Sequence, residues 1–227
     1  MPLTGVQALT IGTTPQNPPF NSRVDKNQFF YGFDIDIMDE ICKRAKLKCE
    51  YTSVVFNDIF NALRAGKIDL ANAAIIITQE REEDFLFSLP YLESNAQFIA
   101  LQSSKIDNPK DIQNKRVGTR NGTPFKKLAT SLYKDQINLV DFSSTADVLN
   151  ALSSNQVDVV LMDYAAANYW VANSGNLYKL IGGPVPLGLG YGIMANKGQN
   201  ALINHINKAL LSMEADGTYL KIYERYF

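Results

Sequence analysis

Arg81, Thr123 and Asp163 are the side chains of this sequence whose types and settings suit chemistry. Thr78-Gln79-Glu80-Arg81 follows directly on the apolar run Ala73 to Ile77. Thr78 is of the type that caps a helix N-terminus, and Arg81 stands where a capping box would carry Glu or Gln. A cation in a first helical turn faces the positive end of the helix dipole and is mildly disfavoured there. Two readings are open: a surface ion pair with Glu80, Glu82, Glu83 or Asp84, or a guanidinium turned into a cleft to grip a carboxylate through two parallel bonds. Asn121-Gly122-Thr123-Pro124 offers a tight turn, a capping hydroxyl and a proline suited to a first helical position. It reads either as an ordinary helix start or as a set of free amides for a carboxylate. Asp163 follows the apolar run Val157 to Met162. It either caps the helix Tyr164 to Val171 or, at the carboxyl end of a parallel strand, holds an ammonium group. Arg81 for an α-carboxylate and Asp163 for an α-amine together suit an amino-acid zwitterion.

The elements that must position these groups alternate between strand and helix. Strands are expected at Ala8 to Gly12, Cys49 to Val55, Ile68 to Ala74, Arg116 to Thr119, Ile137 to Val140 and Val157 to Met162. The segment Thr13 to Pro19, rich in proline, cannot continue the first ladder. Helices are expected at Asp34 to Leu47, where Ile35, Met38, Ile41, Cys42 and Ala45 recur at spacings of three and four, and at Asp58 to Ala65, Pro124 to Tyr133 and Ala146 to Ser153. Ala195 to Met213 ends in a long amphipathic helix. Such alternation implies α/β architecture, with mainly parallel sheets covered on both faces. An internal echo supports two similar halves: Asn61-Ala62-Leu63 leads after four residues to Ile68-Asp69, and Asn150-Ala151-Leu152 leads after four to Val157-Asp158. Two lobes side by side leave a cleft for a small molecule. Phe33, Tyr164 and Trp170 read as packing residues, and His205 as an exposed one.

Composition removes several function classes. Lys and Arg number 22 against 23 Asp and Glu in 227 residues, so no basic block exists to neutralise the phosphates of a nucleic acid. The longest unbroken apolar run, Ala73 to Ile77, is far short of the ~20 residues that cross a bilayer. A single histidine makes multi-histidine metal sites and histidine relays improbable, and neither a metal nor a cofactor is expected. Cys42 and Cys49 flank Lys-Arg-Ala-Lys-Leu-Lys. They read as two buried thiols, or as a pair brought together if the helix ends near Leu47; spacing alone does not decide. Met1 to Gly5 carries no basic and apolar leader, so a secreted precursor would already have lost its signal peptide.

The chain resembles the periplasmic polar amino-acid-binding proteins of ABC importers, solute-binding protein family 3, with the type II two-lobed fold. The resemblance runs over nearly the whole length. It rests on Ile11-Gly12-Thr13 with Pro18-Pro19-Phe20, Gly32-Phe33-Asp34-Ile35-Asp36, Ala65-Gly66-Lys67-Ile68-Asp69, Thr78-Gln79-Glu80-Arg81, Phe87-Ser88-Leu89-Pro90-Tyr91, Val117-Gly118 with Asn121-Gly122-Thr123, and Asp216-Gly217-Thr218. The cysteine pair and Asn-Gly-Thr look most like the arginine and lysine/arginine/ornithine binders, in which such cysteines form a disulfide. That pairing implies an oxidising compartment, the periplasm.

By this resemblance one lobe comprises residues 1–94 and 190–227 and the other residues 95–189, with hinge crossovers near 93–97 and 187–192. Arg81 would bind the ligand carboxylate with help from Thr123, Asp163 would accept the ammonium, and Phe56 would form an aromatic wall. The backbone of Ala74 and Ile76 would contact the head group, and Thr14 and Asn17 would border the ligand side chain. Relatives often carry Ser, Thr or Gly at Ala74 and Ile76, an acid at Thr14 and an aromatic at Asn17, and here those side chains are replaced. Pro124 stands where a threonine is usual and cannot donate a backbone hydrogen bond. The implied function is a monomeric, non-enzymatic capture of a polar L-amino acid, arginine or another cationic one favoured and glutamine the alternative. Delivery would be to an ABC permease in the inner membrane. A cyclohexadienyl-dehydratase-like enzyme and a receptor ligand-binding module are the other functions this fold carries.

Overall fold

The structure is a computed structural model and describes residues 8–24 and 29–227. The expectations about Met1 to Gly5 and about the start of the first lobe lie outside the described residues. The chain begins with β1 (Leu9–Thr13), then β2 (Gln16–Asn17), β3 (Asn21–Arg23) and β4 (Phe30–Tyr31). The prolines do end β1, but Gln16 and Asn17 then pair with Ser22 and Asn21 in a small antiparallel sheet of their own. Next come α1 (Phe33–Ala45), β5 (Cys49–Ser53), α2 (Ile59–Arg64), β6 (Leu70–Ala71), α3 (Gln79–Asp84) and β7 (Phe85–Phe87). A second run follows: β8 (Asn95–Leu101), β9 (Arg116–Arg120), α4 (Phe125–Tyr133), β10 (Asn138–Phe142), α5 (Thr145–Ser153), β11 (Val159–Asp163), α6 (Tyr164–Asn173) and β12 (Tyr178–Pro186). The chain closes with β13 (Met194–Asn196), α7 (Asn200–Ala215) and α8 (Thr218–Tyr223).

Two five-stranded sheets result, ordered β5-β1-β6-β13-β7 and β10-β9-β11-β8-β12. Four strands of each run one way and a single strand, β13 or β8, runs against them. Those two reversed strands are the ones entered on crossing between sheets. Along β6, Leu70 joins the apolar cluster shared with α1 and α7, while Ala71 joins the opposite cluster with Ile59 and Leu63 of α2. In the second sheet Phe98 and Ala100 pack towards Phe125 and Ala129 of α4, while Ile99 and Leu101 pack with Val148 and Leu152 of α5. Side chains alternate across a strand, so both faces of both sheets are buried under helices, as the sequence pattern requires.

Two sequence expectations are corrected here. The strand read from Ile68 to Ala74 pairs only at Leu70 and Ala71; the apolar residues beyond are buried in a loop, because burial alone does not make a ladder. Ala195 belongs to β13, and the last long helix starts only after the left-handed turn at Gly198. The echo has the same geometry in both halves. Each helix ends in a left-handed residue, Gly66 or Asn155. Asp69 then bonds the backbone of Thr10, and Asp158 that of Arg116, through both main chain and side chain. Cys42 and Cys49 form a disulfide with Cα atoms 6.3 Å apart, because α1 stops at Ala45 and Lys46 turns left-handed.

Candidate ligand-binding site

The residues singled out in the sequence gather at the carboxyl ends of parallel strands, where α/β sheets leave room for ligands. From the first sheet come Thr14 after β1, Phe56 after β5 and the segment 72–76 after β6. From the second come Arg120 at the end of β9, the turn through Thr123 that follows it, and Asp163 at the end of β11. The segment after β6 is held by Asp34 in the first turn of α1. The Asp34 carboxylate accepts the backbone N–H of Ala74 at 2.6 Å, and the Asp34 carbonyl accepts the Asn72 amide at 2.8 Å. This fixes Ala74 at φ +48°, a conformation an L-residue adopts only when its surroundings enforce it.

Among the described residues Arg81 enters no surface ion pair. Thr78 caps α3 by accepting the Arg81 N–H, as expected. The guanidinium donates from Nη1 to the Ile76 carbonyl at 2.5 Å and from Nη2 to the Gly122 carbonyl at 2.7 Å. It therefore links the loop after β6 to the turn after β9, and it lies 4.9 Å from the ring centre of Phe60. Burial lowers its pKa to about 10, with the neighbouring charge of Arg120 adding to the effect.

Asp163 is buried and its Oδ1 accepts the Tyr191 hydroxyl at 2.7 Å. Its side chain makes no capping bond to α6, which removes the simple capping reading. Burial pushes its carboxyl above the usual carboxylate range, opposed chiefly by the positive charge of Arg120. Thr123 departs from its expected capping part. Its hydroxyl donates to the Arg120 carbonyl at 2.6 Å and closes the turn, while Pro124 occupies the cap position and α4 begins at Phe125. Thr14 donates to Asn21, whose amide in turn reaches Asp34 at 3.0 Å.

The two sheets meet tightly around these groups. Gly122 has φ +77°, and a Cβ there would come within 3.1 Å of Asn57 Oδ1 and 3.2 Å of Asn57 Cα. Asn17 accepts the Thr145 hydroxyl at 3.3 Å, and Lys127 approaches Glu80 at 3.5 Å. Four contributors were not foreseen: Arg120, whose Cζ lies 4.1 Å from the Phe56 ring centre, Thr145, Tyr191 and Asp34. The rule that selected Asp163, a polar residue ending a parallel strand, would have selected Arg120 as well. Phe33 and Trp170 pack as expected, but Tyr164 is exposed, as is His205.

The described residues contain no helix long and apolar enough to cross a membrane. Residues 9–227 match the family described as bacterial extracellular solute-binding proteins, family 3. The chain is 30% identical to the ABC transporter arginine-binding protein 1 of Escherichia coli K12 over 227 residues, covering 97% of this chain and 91% of that protein. Among solved structures, an arginine 3rd transport system periplasmic binding protein from Legionella pneumophila is 47% identical with a TM-score of 0.94, covering 97% and 99% of the two chains. An ancestral arginine-binding protein bound to glutamine is 33% identical with a TM-score of 0.89, covering 97% of each.

Proposed function

The chain belongs to the bacterial extracellular solute-binding proteins, family 3, and from this premise we propose that it captures a polar L-amino acid and delivers it to an ABC permease. It acts as a periplasmic binding protein rather than an enzyme, working as a monomer. The observation that carries this reading is that Arg81, reaching from α3 to the turn after β9, and Asp163, at the end of β11, lie near enough for their charges to act on each other. A planar guanidinium suits a carboxylate, and a buried carboxylate suits an ammonium group. Residues up to 94 and beyond 189 form one lobe and residues 95–189 the other. The crossovers at 93–97 and 187–192 act as the hinge, and hydrogen bonds between Tyr91, Leu92 and Tyr191 support their moving together.

The ligand docks first through Arg81 and Phe56, with the backbone of Ala74 and Ile76 beside its head group. Closure then brings Thr123 and Asp163 onto it and excludes water. Thr14 and Asn17 border its side chain. The relatives named for arginine support a cationic ligand, and the ancestral protein bound to glutamine supports an amide as the second candidate. Titration calorimetry against the twenty L-amino acids tests the reading. One-site binding in the micromolar range or tighter is expected for at least one polar amino acid, and its loss on Arg81→Leu. No binding tighter than about millimolar, roughly 4 kcal/mol, would overturn it.

A further inference from the structure

The side-chain end of the site carries a cation that makes no direct ion pair among the described residues, although the charge of buried Asp163 acts on it. Arg120 is only 7% exposed, yet among the described residues it enters no ion pair. Its guanidinium covers the Phe56 ring at 4.1 Å. The hydrogen bond the structure gives that guanidinium runs to Thr145 Oγ1 at 3.4 Å, and the Thr145 hydroxyl donates to Asn17 Oδ1 at 3.3 Å. Asn17 is 1% exposed, and among the described residues its Nδ2 has no hydrogen-bond partner. A guanidinium has five N–H donors and an amide nitrogen two. Buried donors and buried charge without partners are costly to a fold. Next to one aromatic face, then, the protein presents a fixed cation and spare donors, while the acid that acts on that cation, Asp163, is held by the Tyr191 hydroxyl and assigned to the ligand ammonium.

We infer that Arg120, helped by Asn17, sets the side-chain specificity of the site: it favours amino acids whose side chain ends in a hydrogen-bond acceptor and penalises those ending in a cation. The inference rests on the amino-acid-binding reading above and deepens it. A cationic side chain laid on Phe56 would compete with Arg120 for the same ring and meet its like charge. An amide or carboxylate oxygen would instead accept from Arg120 and from Asn17 Nδ2. Thr14 has no carboxylate to reverse this, and its hydroxyl donates to Asn21.

The test measures Kd for L-arginine and L-glutamine by calorimetry on the wild-type protein, on Arg120→Leu and on Arg120→Lys. Both ligands are read on the same variant, so any loss of folded protein cancels in the ratio Kd(arginine)/Kd(glutamine). Arg120→Leu is expected to lower that ratio at least about tenfold, the effect of losing one charged hydrogen bond. Arg120→Lys, which keeps the cation, stays nearer the wild-type ratio. If the leucine variant does not fold, Arg120→Gln is read in the same way. A ratio unchanged within about twofold, or shifted towards glutamine, overturns the inference while leaving amino-acid capture standing. Absence of binding of any amino acid to the wild-type protein overturns both.

Discussion

Asp34 accepts hydrogen bonds from the Tyr91 hydroxyl, the Asn21 amide and the backbone N–H of Ala74, and it is fully buried. Burial outweighs those donors and raises its pKa from 3.8 to about 6. Between those values the folded state keeps a proton that the unfolded chain has released. Its contribution to stability is therefore complete below pH 4 and is lost as pH rises through about 6, by roughly 3 kcal/mol. Urea unfolding of the wild type and of Asp34→Asn at a series of pH values measures this. The wild-type stability minus that of the variant is expected to fall from pH 4 to pH 7, and a flat difference would refute the assignment. At this scale residue type and position are enough to choose Arg81 and Asp163 as candidates. Arg120 escapes that rule only because the strand expected from sequence stops at Thr119, and its burial against Phe56 is set by the fold.

The α1–β5 unit shows what one element pair settles. Its helix period predicted α1 to within two residues, and the stop at Lys46 lets Cys42 and Cys49 join. The parallel register places Leu9 beside Cys49 and Thr13 beside Ser53, so the disulfide sits at the end of the sheet opposite the site. Replacing both cysteines with alanine is expected to cost about 2 kcal/mol, as suits a short closed loop. Amino-acid affinity should stay within about twofold. Chemical denaturation with calorimetry checks both, and a large loss of affinity at retained fold would contradict the placement. The segment after β6 was misread as strand for a physical reason. Its apolar residues are buried and so resemble a central strand, but their backbone partners are Asp34 and the crossover around Gly190 to Gly192.

At the scale of the whole molecule, closure depends on how near the two sheets come. Gly122 marks one close approach, with its missing Cβ facing Asn57. Gly122→Val adds volume there at a positive φ, so it should oppose closure while leaving each sheet's core intact. The expected outcome is at least about tenfold weaker ligand binding. Small-angle X-ray scattering should also show no compaction when ligand is added. Normal affinity together with compaction would count against hinge closure at this point. The fold class, the alternation of strand and helix, the duplicated helix-turn-strand unit and the identity of Arg81 and Asp163 were all determined by local sequence, because periodicity, turn chemistry and residue type act over a few neighbours. Which partner Arg81 takes, that Thr123 closes a turn instead of capping a helix, and that Arg120 meets Phe56 and Asn17 were decided only by tertiary structure. Those outcomes depend on burial and on contacts between the ends of strands far apart in the chain, and no local pattern encodes such distances.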